Sequence, residues 1–225
     1  MPDSRTRLVL LRHGQTQWNV TGQFQGQADI PLNEVGRRQA SLVAPVMAAL
    51  GPASIYSSDL QRAAATAAPV AEVTGLHVVF DRRLREINVG SWEGLTRELM
   101  AEADPEFLPA LRAGHDHRRS PTGETAHEVG SRMRDALAEI AERHHGQTTL
   151  VATHGLALRM GAGYLLGYDY ASSWRLGPMD NCGWTILGHR TDGWHLECYN
   201  RVVASVPSAE HRLPASKLHG AAALG

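Results

Sequence analysis

Two short apolar runs, Leu8-Val9-Leu10-Leu11 and Leu150-Val151-Ala152, each lead into a His-Gly pair, as Arg12-His13-Gly14 and Thr153-His154-Gly155. β-Prone apolar residues without polar alternation read as strands buried on both faces, which calls for a mostly parallel sheet with helices on either side. In such sheets reactive groups gather just beyond the carboxyl ends of the strands. Arg12 offers a planar fork of donors suited to phosphate or carboxylate, His13 an imidazole that can be nucleophile, base or ligand, and Gly14 close backbone approach to a ligand. One such triplet alone would read as a strand end with a solvated arginine and a hydrogen-bonded histidine. The rest of the chain has to decide.

Along the chain, strands and helices alternate. Thr21 to Pro31 reads as a loop, Asn33 as the cap of a helix reaching about Leu50, and Ala53-Ser54-Ile55-Tyr56 as a second strand. Asp59 or Ser58 would cap the next helix, which runs to about Thr74 and stops at Gly75. His77 to Phe80 is a third strand and Asp81 to Trp92 a charged loop. Leu95 to Ala113 has a helical pattern broken by Pro105 and Pro109, and Gly114 to Gly123 has none. Glu124 to His145 shows one apolar helical face, Thr148 to Thr153 is a buried strand, and Leu156 to Leu166 is the helix behind it. Trp184 to Leu187 and Trp194 to Tyr199 pair around Arg190-Thr191-Asp192-Gly193. The expectation is a three-layer α/β/α fold with a mostly parallel central sheet, an antiparallel edge hairpin and a largely helical insertion over the active site. Residues 1–205 would form one domain, with the insertion at about 95–122 and a flexible tail at 206–225.

Composition narrows the classes of function. The formal net charge of the 225 residues is −1, with no basic block, so a nucleic-acid partner is not expected. No apolar run approaches the roughly 20 residues that span a bilayer, and no signal peptide is visible, which excludes a membrane partner and places the chain in the cytoplasm. Cys182 and Cys198, the two cysteines, read as buried free thiols. The pairs His115/His117 and His144/His145 sit in polar surroundings and read as solvated rather than metal-binding.

The remaining motifs converge. Arg62 lies in the first turn of the helix after the second strand and Glu86 in the loop after the third, so two histidines, two arginines and a carboxyl group can meet at one sheet edge. The run Arg12-His13-Gly14-Gln15-Thr16 with Asn19, Gln25-Gly26, Pro31-Leu32-Asn33, Ser57-Ser58-Asp59-Leu60 with Arg62 and Thr66, Leu84-Arg85-Glu86, Gly123-Glu124-Thr125 and Thr153-His154-Gly155 resembles the histidine phosphatase superfamily, its phosphoglycerate-mutase-like branch, in order and spacing.

The resemblance implies a phosphohistidine mechanism. His13 would attack phosphorus, with its other ring nitrogen fixed by a backbone carbonyl; Arg12 and Arg62 would grip the phosphate, and His154, as imidazolium, would donate to it. Glu86 would protonate the leaving alcohol and then take a proton from the hydrolytic water. Gly14, Thr16, Asn19, Gln25, Gly26 and Gly155 would position phosphate or leaving group; for Thr16, Asn19 and the Gln25-Gly26 loop, loop capping is the alternative. No cofactor and no metal are implied, since arginines and histidines supply the positive charge.

The partner would be a small phosphorylated metabolite. Glu86-Ile87-Asn88-Val89-Gly90 lacks the Glu-Arg-His-Tyr-Gly run of the mutases, which leans towards a phosphatase; a cofactor-dependent mutase and a non-catalytic phosphate-binding protein are the alternatives. Several segments, Asn181-Cys182-Gly183-Trp184 among them, are similar to glucosyl-3-phosphoglycerate phosphatases. Arg118-Arg119 would be a solvated pair or a grip for a second anionic group. Trp184 and Trp194 on the edge hairpin would suit a homodimer surface.

Overall fold

A computed structural model describes residues 5–203. The expected tail, 206–225, lies outside them. The elements are β1 (Arg7–Arg12), α1 (Gln17–Val20), α2 (Glu34–Ala49), β2 (Ser54–Ser57), α3 (Gln61–Thr74), β3 (Val78–Phe80), α4 (Arg97–Ala103), α5 (Phe107–Arg112), α6 (Ala126–Arg143), β4 (Thr148–Thr153), α7 (Gly155–Leu165), α8 (Tyr170–Trp174), β5 (Trp184–Arg190) and β6 (Gly193–Arg201). One six-stranded sheet has the order β3-β2-β4-β1-β5-β6. Its first four strands are parallel, and β5 and β6 add an antiparallel edge.

The unbroken apolar character of β1 follows from its place. Leu8 and Leu10 face a core shared with Val129, Met133 and Leu137 of α6 and Leu158 of α7. Val9 and Leu11 face the other layer, with Val43 and Met47 of α2 and Ala67 and Val70 of α3. With β4 on one side and β5 on the other, β1 has neither an exposed face nor a free edge, so its four apolar residues are all buried. The 97–112 segment forms two short helices whose buried side chains, Met100 and Phe107, join the first core, where Phe107 meets Trp92 edge-on.

Several expectations need correction. α3 is not capped by Asp59 or Ser58: its cap is Leu60, and the Gln61 N–H donates instead to Asp29, 2.7 Å away. Asp59 accepts a fork from Arg85 at 2.6 and 2.5 Å, which holds its carboxyl below the usual range. The charged loop carries two 3-10 turns, Arg82–Leu84 and Gly90–Trp92. The hairpin strands are longer than expected, leaving only Thr191 and Asp192 in the turn. Trp184 is 5% exposed and belongs to the core, so it offers nothing to a dimer surface; Trp194 is half-buried against its own chain and lies edge-on to His189. Asp116, between His115 and His117, accepts from the first backbone N–H groups of α6. Among the described residues no helix is long and apolar enough to cross a membrane.

Candidate active site

β1 and β4 run in parallel register, Arg12 opposite Thr153, so their two His-Gly pairs emerge side by side. The rings of His13 and His154 are 5.2 Å apart and tilted by 58°. His13 is 2% exposed and its Nδ1 lies 2.7 Å from the carbonyl of Gly14. A carbonyl can only accept, so Nδ1 carries the proton and Nε2 keeps a free lone pair. The His13 backbone is fixed from three sides: its N–H donates to Thr153, and its carbonyl accepts from Cys182 and from the Asn181 side chain. Gly14 is required for packing: a Cβ there would lie 2.5 Å from the Gly36 carbonyl, so the approaching group is the first turn of α2 and not a ligand.

His154 departs from the imidazolium expected of it. It is fully buried, its Nδ1 accepts from Arg62 Nε at 3.1 Å, and its Nε2 lies 2.8 Å from Ser58 Oγ. A guanidinium N–H can only donate, so Nδ1 is bare and the single ring proton sits on Nε2, shared with Ser58. His154 is neutral in this pocket. Burial pushes both histidines well below the ordinary value, and the charges of Arg62 and Arg12 push the same way.

That electrostatic state has a consequence for stability. Between their depressed pKa values and the ordinary 6.5, the unfolded chain binds protons at His13 and His154 that the folded chain does not. Their contribution is therefore complete above pH 6.5 and is lost as pH falls below it, each histidine adding up to about 1.4 kcal/mol per pH unit. Urea midpoints measured from pH 7.5 down to 5 should fall; a flat profile would contradict the neutral, buried pair.

The other predicted residues divide. Arg62, fully buried, donates to His154, to the Ala28 carbonyl at 2.7 Å and to the Gly26 carbonyl at 2.8 Å. Arg12 donates to the Met179 carbonyl, while its Nε is buried without a partner among the described residues. A Cβ on Gly155 would stand 3.3 Å from that Nε, so Gly155 leaves room for the guanidinium. Gln25 Oε1, on the loop that Arg62 holds, is another buried polar atom without a partner among the described residues. Thr16 and Asn19 follow the capping alternative: they form a capping box on α1, and Asn19 Oδ1 also accepts from Asn181.

Glu86 is not the surface partner of its neighbouring arginines. Arg82 and Arg85 go to Asp59, and Arg83 goes to Asp81 and Glu139. Its carboxylate instead sits at the start of α7, where Oε1 accepts from Ile87 and Ala157 (both 2.9 Å) and Oε2 from Leu156 (3.1 Å). It supplies the cap that the side chain of His154, the N-cap residue, does not. The carboxyl group, both imidazoles and both arginines thus meet at the carboxyl ends of β1 and β4.

Sequence reasoning left out Ser58 and Thr66 as parts of this site. Ser58 receives the His154 proton, and Thr66 accepts from the Gly14 N–H at 3.0 Å while donating to the Arg62 carbonyl. Both stood in the motifs, but their partners are set by the tertiary fold. Arg118 and Arg119 do not act as a pair: one is at the surface and the other is enclosed. Arg118 is forked onto Glu128, while Arg119, 4% exposed, pairs with Asp116 and lies over the Phe107 ring. Both cysteines are free thiols; Cys182 is buried and pushed up to about 12, and Cys198 is only half-buried.

Residues 8–202 match the family model of the histidine phosphatase superfamily, branch 1. The chain belongs to this superfamily. This histidine phosphatase is 38% identical over 188 residues to a probable phosphoglycerate mutase GpmB of Yersinia enterocolitica, spanning 84% of this chain and 87% of the relative. A mycobacterial glucosyl-3-phosphoglycerate phosphatase solved with VO3 superposes with a TM-score of 0.79 and 36% identity, over 87% of this chain and 99% of that one. A phosphoserine phosphatase mutant from Entamoeba histolytica, solved with phosphoserine, superposes with a TM-score of 0.76 at 27% identity, over 86% and 96% of the two chains. The chain is an enzyme of the phosphatase class.

Proposed function

We propose that the enzyme hydrolyses a small phosphate monoester through a phosphohistidine, with a sugar- or glycerate-type alcohol as leaving group and glucosyl-3-phosphoglycerate as the first substrate to test. The carrying observation is the tautomer of His13, which leaves Nε2 bare beside two guanidinium groups. In the reaction the Nε2 lone pair forms the P–N bond as the P–O bond to the alcohol breaks, and Glu86 gives that oxygen its proton. Water then attacks phosphorus, its proton passes to Glu86, and the P–N bond breaks to return neutral His13 and inorganic phosphate. Arg12 and Arg62 hold the equatorial oxygens throughout, and the unmatched N–H of Arg12 is one donor for them.

The mutase reading draws on the names of relatives such as GpmB. Against it, a mutase must hold a second anionic group, and of the arginine pair that would suit this task Arg119 is enclosed against Asp116 while Arg118 already faces Glu128. The deciding experiment mixes enzyme briefly with labelled phosphate esters and follows both products and protein. Acid-labile, base-stable label on the protein, with inorganic phosphate released from glucosyl-3-phosphoglycerate, is expected. Interconversion of 2- and 3-phosphoglycerate faster than phosphate release would establish the mutase instead.

A further inference from the structure

Glu86 lies between the two 3-10 turns, Arg82–Leu84 and Gly90–Trp92, in no helix or strand, so something other than a backbone ladder must fix it. Arg132 of α6 does so with all five of its N–H groups. Nε donates to Glu124 Oε1 (2.8 Å), NH1 to the carbonyls of Arg83 (2.8 Å) and Arg85 (2.7 Å), and NH2 to the carbonyl of Glu86 and to Glu124 Oε2 (both 2.9 Å). Glu124 completes the grip from the other side. Its Oε2 accepts from the Asn88 N–H at 2.8 Å and its own N–H donates to the Asn88 carbonyl at 2.8 Å. The chain is thus held on both flanks of Glu86 by one largely buried ion pair, and Gln27 adds a second donor to the Glu86 carbonyl at 3.1 Å.

We infer that Arg132, locked by Glu124, is a positioning residue for the proton transfer at Glu86, although it meets Glu86 only at the backbone carbonyl. The inference rests on the reading of Glu86 as the acid of a monoester hydrolase. A lysine cannot replace the guanidinium: it has three donors on one atom and no planar fork, so it cannot span three carbonyls and a carboxylate. With the clamp loosened, the carboxyl group shifts relative to the leaving oxygen, and the phosphate cage of Arg12, Arg62 and His13 stays in place.

Leaving groups separate positioning from plain stability. Alkyl alcohols need a proton as they depart, whereas dinitrophenolate does not. kcat/KM is the quantity to read, because it stops at alcohol release and excludes the later hydrolysis of phosphohistidine. For Arg132→Lys and for Glu124→Gln, kcat/KM on glycerol phosphate should fall about 10²-fold and on 2,4-dinitrophenyl phosphate less than about 3-fold. Glu86→Gln should show the same split, and adding Arg132→Lys to it should cost nothing further. Far-UV circular dichroism identifies folded variants, and Glu124→Gln, which keeps the side chain's shape, carries the test if Arg132→Lys does not fold. Equal losses on the two esters, or no loss on glycerol phosphate, would overturn the positioning role. A wild-type enzyme that cleaves neither ester would instead overturn the hydrolase reading on which it rests.

Discussion

His13→Ala is expected to lower kcat/KM on any phosphate monoester by at least about 10³-fold, because it removes the atom that forms the P–N bond. No neighbour can substitute. His154 is 5.2 Å away, but both of its nitrogens are committed, Nδ1 to Arg62 and Nε2 to Ser58. The fold should survive the change. Among the described residues the His13 side chain bonds to the adjacent carbonyl of Gly14, and the backbone bonds to Thr153 and Cys182 do not involve the imidazole. Stability should even become less sensitive to acid: with one of the two buried neutral histidines gone, the fall in the urea midpoint between pH 7 and 5 should be about halved. Activity within about tenfold of wild type would rule out His13 as the phosphoryl acceptor.

The proposed nucleophile is legible in the sequence because the features around it are local. A strand buried on both faces must be continuously apolar, so Leu8 to Leu11 announces a central position, and the residue that ends the run sits at the sheet edge where ligands bind. What stays hidden is whatever depends on partners far along the chain. Asp59 follows a strand and looks like a helix cap, yet Arg85, brought over from the next connection, takes its carboxylate and leaves Asp29 to cap α3. Arg118 and Arg119 look alike in sequence, and the fold gives one a half-exposed carboxylate and encloses the other beside Asp116. The charge on His154 is equally unreadable, since it is set by burial among Arg62, Arg12 and Arg132, which lie in three separate segments. α1 and α8, four and five residues long, are too short to show a helical period.

Arg62→Met should have the largest effect on folding and a large one on phosphate binding. The native guanidinium is fully buried, and burial brings its pKa down to about 10, still far enough above neutrality for the charge to remain. Methionine fills similar space but leaves the Gly26 carbonyl and the Nδ1 of His154 without donors, and the Ala28 carbonyl with the Ile30 N–H alone. Each buried acceptor left without its donor costs about 1–3 kcal/mol, so losing the Gly26 and His154 bonds together takes a large part of a typical domain's stability. Lysine keeps the charge, but its three donors sit on one atom and lack the planar fork that reaches all three acceptors, so Arg62→Lys should fall between methionine and wild type. The histidines should respond as well. Arg62 is the largest charge holding both of them down, so in Arg62→Met their pKa values rise towards 6.5 and the acid limb of activity moves up with them. Inorganic phosphate separates the roles, because a ligand held by the native cage raises the unfolding midpoint, by about 2.7 kcal/mol at 100 times its Kd. Wild type should gain that protection and Arg62→Met should not. An Arg62→Met protein as stable as wild type, or one still protected by phosphate, would mean that Arg62 neither binds the loop at Gly26–Ala28 nor completes the cage.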